Sequence, residues 1–207
     1  GSVRVHASMS AIVQFLPEDL GRFVRTHAQV KIDLEEHLSS DVERAVAEGA
    51  ADFGICHASR APGALQVRPY RHDQLALIAP PALFRKTPAT IDFAETLGFD
   101  HVGLHAGSSS ALAMHHAAAE AGGTVRLRFR VTGLDAMCRM IAGGLGVGVM
   151  PMRAFELIHG RSDLRCIPLR DAWAARQISL LARDFDSLPA TARALVDHLA
   201  EPPVTNA

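Results

Sequence analysis

MIAGGLGVGVMP, residues 140–151, decides how the rest of the chain is read. Its glycines, Gly143, Gly144, Gly146 and Gly148, crowd together as they do in loops that cradle phosphate with bare backbone. The order of elements around them excludes that role. A dinucleotide fingerprint needs G-x-G-x-x-G after a strand and before a helix, so that the helix N-terminus meets the pyrophosphate. Here the pattern predicts a helix over residues 134–142 running into the glycines, and an apolar strand at 146–150 leaving them. The glycines therefore stand at a helix C-terminus, where left-handed backbone is wanted and phosphate is not. No G-K-[ST] follows.

Working outward, strands and helices alternate. Residues 3–7 alternate like a strand, and helical spacing follows through Ile12, Leu16, Leu20 and Phe23. Residues 30–34 form a second alternation, Ser39-Ser40-Asp41 opens a helix striped by Val42, Ala45 and Val46, and Gly49 closes it. A third strand covers 51–56, and 65–70 and 74–79 read as two more extended segments. Pro80-Pro81 breaks the rhythm, after which a second cycle begins: a strand at 99–104, an alanine-rich helix at 108–121, and a strand at 127–131. Beyond the glycine stretch come a short helix led by Pro151, a strand at 177–183, a final amphipathic helix at 188–199 and a frayed tail from Glu201. Such alternation indicates an α/β fold with a largely parallel sheet.

Composition narrows the function classes. Apolar residues make up 48% and charged residues 21%, without blocks, and the formal charge is −1. Nucleic-acid binding needs clustered Lys and Arg, which this segment lacks. Its apolar runs are too short to span a bilayer and no signal segment opens the chain, so a cytoplasmic setting with no membrane partner is expected. Cys56, Cys138 and Cys166 are odd in number and lie far apart, which suits reduced, mostly buried thiols. Gly1-Ser2 reads as an expression scar, making the chain an excised piece of a longer one.

No catalytic or metal constellation stands out. His115 and His116 are adjacent on a helix and point about 100° apart, so with His105 they do not converge on one ion, and no HExxH is present. Ser108-Ser109-Ser110 lacks a G-x-S-x-G elbow. These serines do follow a strand and open a helix, where unpaired backbone N–H groups and the positive dipole end favour an anion or polar ligand. Ser10 follows the first strand and Ser39-Ser40 the second in the same way, while His57 stands at the exit of the third. Each serine could instead cap its helix, but three such junctions on one side of an α/β sheet point to a shared binding cleft.

Together these features resemble the effector-binding domain of LysR-type transcriptional regulators. The resemblance is carried by Phe15-Leu16-Pro17, by residues 46–55 (VAEGAADFGI, similar to the family's L-x-x-G-x-x-D-x-x-I), by QLALIAP at 74–80 and, most specifically, by TGLDAMCRMIAGGLGVGVMP at 132–151. It covers essentially the whole chain. It implies two Rossmann-like lobes joined by two crossover strands, like type 2 periplasmic binding proteins, with residues 1–80 plus 182–207 in one lobe and 81–181 in the other. It also implies a small polar or carboxylate effector held between the lobes, no enzymatic activity and no cofactor.

By position, the resemblance nominates Ser10, Ser39, Ser40, His57, His105, Ser108, Ser109, Ser110 and Thr132 as effector contacts. Leu38 replaces the glycine common in the family, and no arginine is identified at the usual cleft-exit positions. Family members pair through their regulatory domains, with Ile12 and Phe23 as candidate interface positions here, and assemble as tetramers at full length. DNA is bound only through an N-terminal winged helix-turn-helix that this sequence does not contain. The alternatives are a solute-binding receptor of the same bilobal fold serving a transporter and, more remotely, an enzyme with a histidine base.

Overall fold

The computed structural model describes residues 1–59, 62–160 and 162–202. By their internal packing, the described residues within 1–72 and 177–207 form one compact unit and those within 73–176 a second. The chain passes from one to the other inside β4 (Gln66–Ala79) and again inside β9 (Ala175–Ala182), several residues before the sequence-based positions at 80/81 and 181/182.

In the first unit, β1 (Ser2–Ala7) lies between β2 (Lys31–Glu36) and β3 (Phe53–Cys56), parallel to both, while β9 joins β3 antiparallel. Side-chain alternation gives the sheet two faces. Val3, Val5, Phe53, Ile55, Ile178 and Leu180 share one core with Leu16 and Phe23 of α2 (Leu16–Thr26) and with Leu195 and Leu199 of α7 (Ala190–Ala200). Val42 of α3 (Ser39–Ala47) packs with Cys56 and Leu181 in a separate cluster. Each large apolar side chain so buried contributes about 1.5–3 kcal/mol.

One helix was expected through Ile12 and Phe23, but there are two, α1 (Met9–Gln14) and α2, parted at Phe15, whose φ and ψ are −134° and −38°. Pro17 supplies the cause. It has no N–H for the Val13 carbonyl, and its ring would press on that carbonyl if the helix ran through. Phe23 is fully buried in this core, which removes it as a candidate interface residue; its exposed neighbour on α2 is Val24.

The second unit holds β5 (Asp100–Gly103) parallel to β6 (Arg126–Arg130), with α4 (Ser109–Glu120) between them in sequence. Its end of β4 pairs antiparallel with β7 (Gly148–Pro151) and β8 (Arg165–Pro168). α6 (Met152–His159) links those two strands, with Pro151 as its N-cap. Leu75, Leu77, Phe93, Val147, Val149 and Ile167 form the core of this unit. The short β8 carries no clean alternation and was not expected from sequence.

The glycine stretch behaves as its order of elements demands. α5 (Leu134–Ala142) stops at Gly143, and Gly144 turns left-handed at φ +81°, its N–H donating to the Ile141 carbonyl at 3.0 Å. Gly146, at φ +150°, passes so near Asp100 that a Cβ would strike that residue's carbonyl oxygen. A Cβ on Gly148 would meet Ile141 and the Val102 carbonyl at 3.0 Å. These residues close a helix and let α5, β5 and β7 approach one another.

β4 is one strand rather than the two segments expected. Arg71 and Asp73 interrupt its apolar pattern, yet both are buried and paired inside the strand. Arg71 meets Asp19 at 3.0 Å, and Arg176 makes a two-pronged contact with Asp73 at 2.9 and 2.6 Å. The frayed tail expected from Glu201 lies outside the described residues from position 203 onward. Among the described residues no helix is long and apolar enough to cross a membrane.

Candidate functional site

In the first unit, parallel register sets Ala7 beside Glu36 and Ile55, so β1, β2 and β3 finish in one row. The residues that follow these ends are therefore drawn to the same edge. Ser10 lies in the first turn of α1, Ser39 and Ser40 open α3, and His57 follows β3 directly. Ser10, Ser39 and His57 are half-buried and Ser40 is exposed. Ligands bind α/β sheets at this carboxyl edge because helix N-termini leave backbone donors there.

Capping does not explain the serines of this unit. Leu38 is the N-cap of α3 and offers no side-chain acceptor, while Ser39 hydrogen-bonds the Cys56 thiol. Ser8, which the sequence reading overlooked, is the N-cap of α1 but makes no capping bond. Its hydroxyl is buried and has no hydrogen-bond partner among the described residues. A buried hydroxyl in that state is costly unless another group reaches it.

The same edge carries His6, Glu35 and His37, the one group of three donors among the described residues close enough to share an ion. Glu35 is held below its ordinary carboxylate range by hydrogen bonds from His37 and His6. A larger hollow in this unit, lined by Asp52, Arg183, Asp184 and Ser187, lies by the start of β3 and away from the serines.

In the second unit the capping reading does hold for one serine. Ser108 is the N-cap of α4 and accepts a hydrogen bond from Ala111 N–H at 3.1 Å, with Ser110 Oγ 3.3 Å from its own. Ser108 and Ser110 also line a cavity of about 40 Å³ with His101, Gly103, His115 and Arg130, room for little more than one water in this form. Ser109, His105 and Thr132 do not line it. Thr132 is exposed just beyond β6, and exposed His105 accepts from Gly107 N–H through Nδ1 at 3.1 Å.

Arg130, which the sequence analysis does not nominate, also lines this cavity. It is the last residue of β6, its backbone in register with Gly103, and its guanidinium makes no hydrogen bond or ion pair among the described residues. Unpaired cation, serine hydroxyls and the start of α4 together form a surface that favours a carboxylate. The helix histidines diverge as their spacing requires: His115 turns to the cavity, while His116 meets Glu120 at 3.1 Å.

Buried His101 is a histidine of this unit whose titration is shifted. Desolvation pulls its pKa below the ordinary value, against the opposing effects of the Thr96 carbonyl and Asp100. The thiols move the other way. Burial pushes Cys56 and Cys166 up to about 12 and Cys138 to about 11. Thiols so protonated are poor nucleophiles at neutral pH.

Comparison with known proteins completes the picture. Residues 1–202 match the family described as "LysR substrate binding domain". Among curated proteins no sequence matches. The fold is similar to the regulatory domain of CcmR from Synechocystis PCC6803 in complex with 2-PG, with TM-score 0.83 and 20% identity over 97% of this chain and 96% of that one. It is also similar to the effector binding domain of QuiR in complex with shikimate, with TM-score 0.80 and 14% identity over 97% and 95%. Full-length CbnR complexed with its target DNA aligns at TM-score 0.74 and 18% identity, over 96% of this chain and 70% of that one. At such identities the likeness to these structures is one of fold.

Proposed function

The chain belongs to the LysR substrate-binding domain family, and from that premise we propose that it senses a small carboxylate-bearing or polar effector for a transcriptional regulator. The family match over residues 1–202 carries this reading. The bound ligands of CcmR and QuiR, 2-PG and shikimate, support the ligand class. In the first unit the effector contacts are Ser10, Ser39, Ser40 and His57, joined by Ser8. In the second they are His105, Ser108, Ser109, Ser110 and Thr132, joined by Arg130.

Sensing needs no covalent chemistry. A ligand that binds one conformer more tightly than another shifts the population, and the shift is bounded by that difference in affinity. We assign DNA recognition to a winged helix-turn-helix outside this sequence, association to a homodimer of regulatory domains, and the full-length state to a tetramer in the cytoplasm. Family membership favours this reading over a transporter's solute receptor.

The test is a thermal-shift screen of small carboxylates, aromatic acids and amino acids against the domain. A true effector raises Tm by binding the native state alone. The pair Ser39→Ala with Ser109→Ala is expected to weaken that effector while leaving the unliganded Tm almost unchanged. A fall in unliganded Tm with affinity intact would assign the serines to structure instead.

A further inference from the structure

Strand register builds a second cluster that family membership does not call for. β1 and β2 run parallel with His6 beside Glu35. His37 follows two residues after Glu35, so both project from the same face of the chain, and its N–H is fixed by the Ala7 carbonyl at 2.9 Å. His6 Nε2 lies 3.1 Å from Glu35 Oε2, and His37 Nε2 lies 3.3 Å from Glu35 Oε1. The two imidazoles stack with centroids 4.4 Å apart and planes 29° from parallel, presenting both Nε2 atoms to the carboxylate.

We propose that His6, Glu35 and His37 form a binding site for a divalent transition-metal ion, with zinc the best fit. Two imidazoles and a carboxylate are a donor set that suits zinc, cobalt or nickel and discriminates against magnesium and calcium. Spacing agrees. Tetrahedral zinc with bonds of about 2.0–2.1 Å places its ligand atoms roughly 3.3–3.4 Å apart. The donor atoms of these three side chains all lie within 4.8 Å of one another, so the ion enters with small rotamer changes.

The environment supports the assignment. His6 is buried and its Nδ1 has no hydrogen-bond partner among the described residues, so Nε2 is the ring nitrogen aimed at the cluster. Glu35 is exposed and His37 half-exposed, so an ion can enter from solvent and keep an open coordination position for water or a ligand atom. Two neutral rings, each offering its Nε2 lone pair, and one carboxylate oxygen supply three ligand atoms to a single cation. Bound metal would add a side-chain tie between β1 and β2, the strand at the edge of the sheet.

The experiment titrates zinc, and separately cobalt, into the metal-stripped domain. Expected are one equivalent of zinc bound by calorimetry, a rise in Tm of a few degrees, and visible cobalt bands of tetrahedral intensity. Glu35→Gln and His37→Gln, both at solvent-accessible positions, should abolish all three while leaving the metal-free Tm near that of the parent. His116→Gln, which removes the exposed His116–Glu120 pair, should change none of them. Unchanged binding in Glu35→Gln and His37→Gln, or loss in His116→Gln, overturns the proposal, as does failure of zinc at micromolar concentration to bind the parent.

Discussion

Arg71 of β4 donates to Asp19 of α2 at 3.0 Å, with both side chains only 6% exposed. Asp19 also accepts from Tyr70 O–H and pairs with Arg22, and its backbone carbonyl takes the His198 Nε2 proton at 2.7 Å. Arg71 reaches further, to the carbonyls of Leu199 and Glu201 at 3.3 and 3.1 Å. The Asp19 carboxylate thereby ties α2 to β4, while its backbone carbonyl and Arg71 together hold α7. Removing the carboxylate strands a desolvated guanidinium, so Asp19→Ala should lose about 3–5 kcal/mol of stability in urea unfolding. Replacing Asp19 by Leu and Arg71 by Met together should cost less than that, because no buried charge is then left unpaired. Equal losses in the two proteins would contradict the account.

His101 sets a pH dependence for the second unit. Its folded pKa lies below the ordinary 6.5, so between the two values the unfolded chain binds more protons than the native one. Its contribution to stability is fully present above 6.5 and is lost as pH falls through the folded value. Nuclear magnetic resonance titration should find the His101 midpoint below 6.5, and His101→Gln should flatten the acid side of the stability profile. A midpoint at or above 6.5 is incompatible with the burial described.

Ser108 and Ser109 separate capping from ligand contact. The capping bond from Ala111 N–H belongs to Ser108 alone, so Ser108→Ala should cost about 1 kcal/mol and Ser109→Ala close to nothing. Arg130→Ala should leave Tm unchanged, because the guanidinium holds nothing in the described structure, and should weaken a carboxylate effector roughly tenfold, as loss of a charge-assisted hydrogen bond does. Calorimetry on the three variants decides the matter. Undiminished affinity in Arg130→Ala would remove it from the site.

The glycine stretch predicts steep losses from small substitutions. Gly148→Ala forces a methyl against Ile141 and the Val102 carbonyl and should cost about 1–3 kcal/mol. Gly146→Ala meets the Asp100 backbone in a left-handed conformation and should cost more. A Tm within one degree of the parent for Gly146→Ala would show that β5 and β7 are not so closely approached.

Cys56, Cys138 and Cys166 should resist iodoacetamide in the native protein near neutral pH and react fully in denaturant, since burial keeps each thiol protonated. Rapid native labelling of Cys56 or Cys138 is the result that would contradict this.

The elements most legible in the sequence were those with strong periodicity and clear terminators. The helix over 134–142 ended at Gly143 as its glycines required, and the strand–helix–strand order of both units followed from alternation. Polar residues hid the continuity of β4, because Arg71 and Asp73 look like breaks until Asp19 and Arg176 are seen beside them. Pro17 stands in plain view in the sequence, but the apolar spacing through Ile12, Leu16 and Phe23 runs across the break at Phe15 and hides it. For the sites, local sequence identified the serines that open helices but could not reveal what register assembles. A separation of 29 residues stands between His6 and Glu35, and no spacing rule joins them. Arg130 lay unnoticed among the other exposed arginines of β6 until the cavity beside it was known.

The first unit is built from both ends of the sequence. Asp19 and His198, joined by a hydrogen bond, are 179 positions apart, whereas residues 73–176 form the second unit as one uninterrupted segment. On the ribosome, the second unit has all its strands available while β9 and α7 are still being synthesised. The first must wait, with the core that β1, β3 and α2 share still lacking Leu195 and Leu199, until α7 emerges. Its vulnerability to aggregation therefore lasts until α7 has been made, and a nascent chain halted before residue 175 should need chaperone cover for residues 1–72 rather than for the segment that follows them.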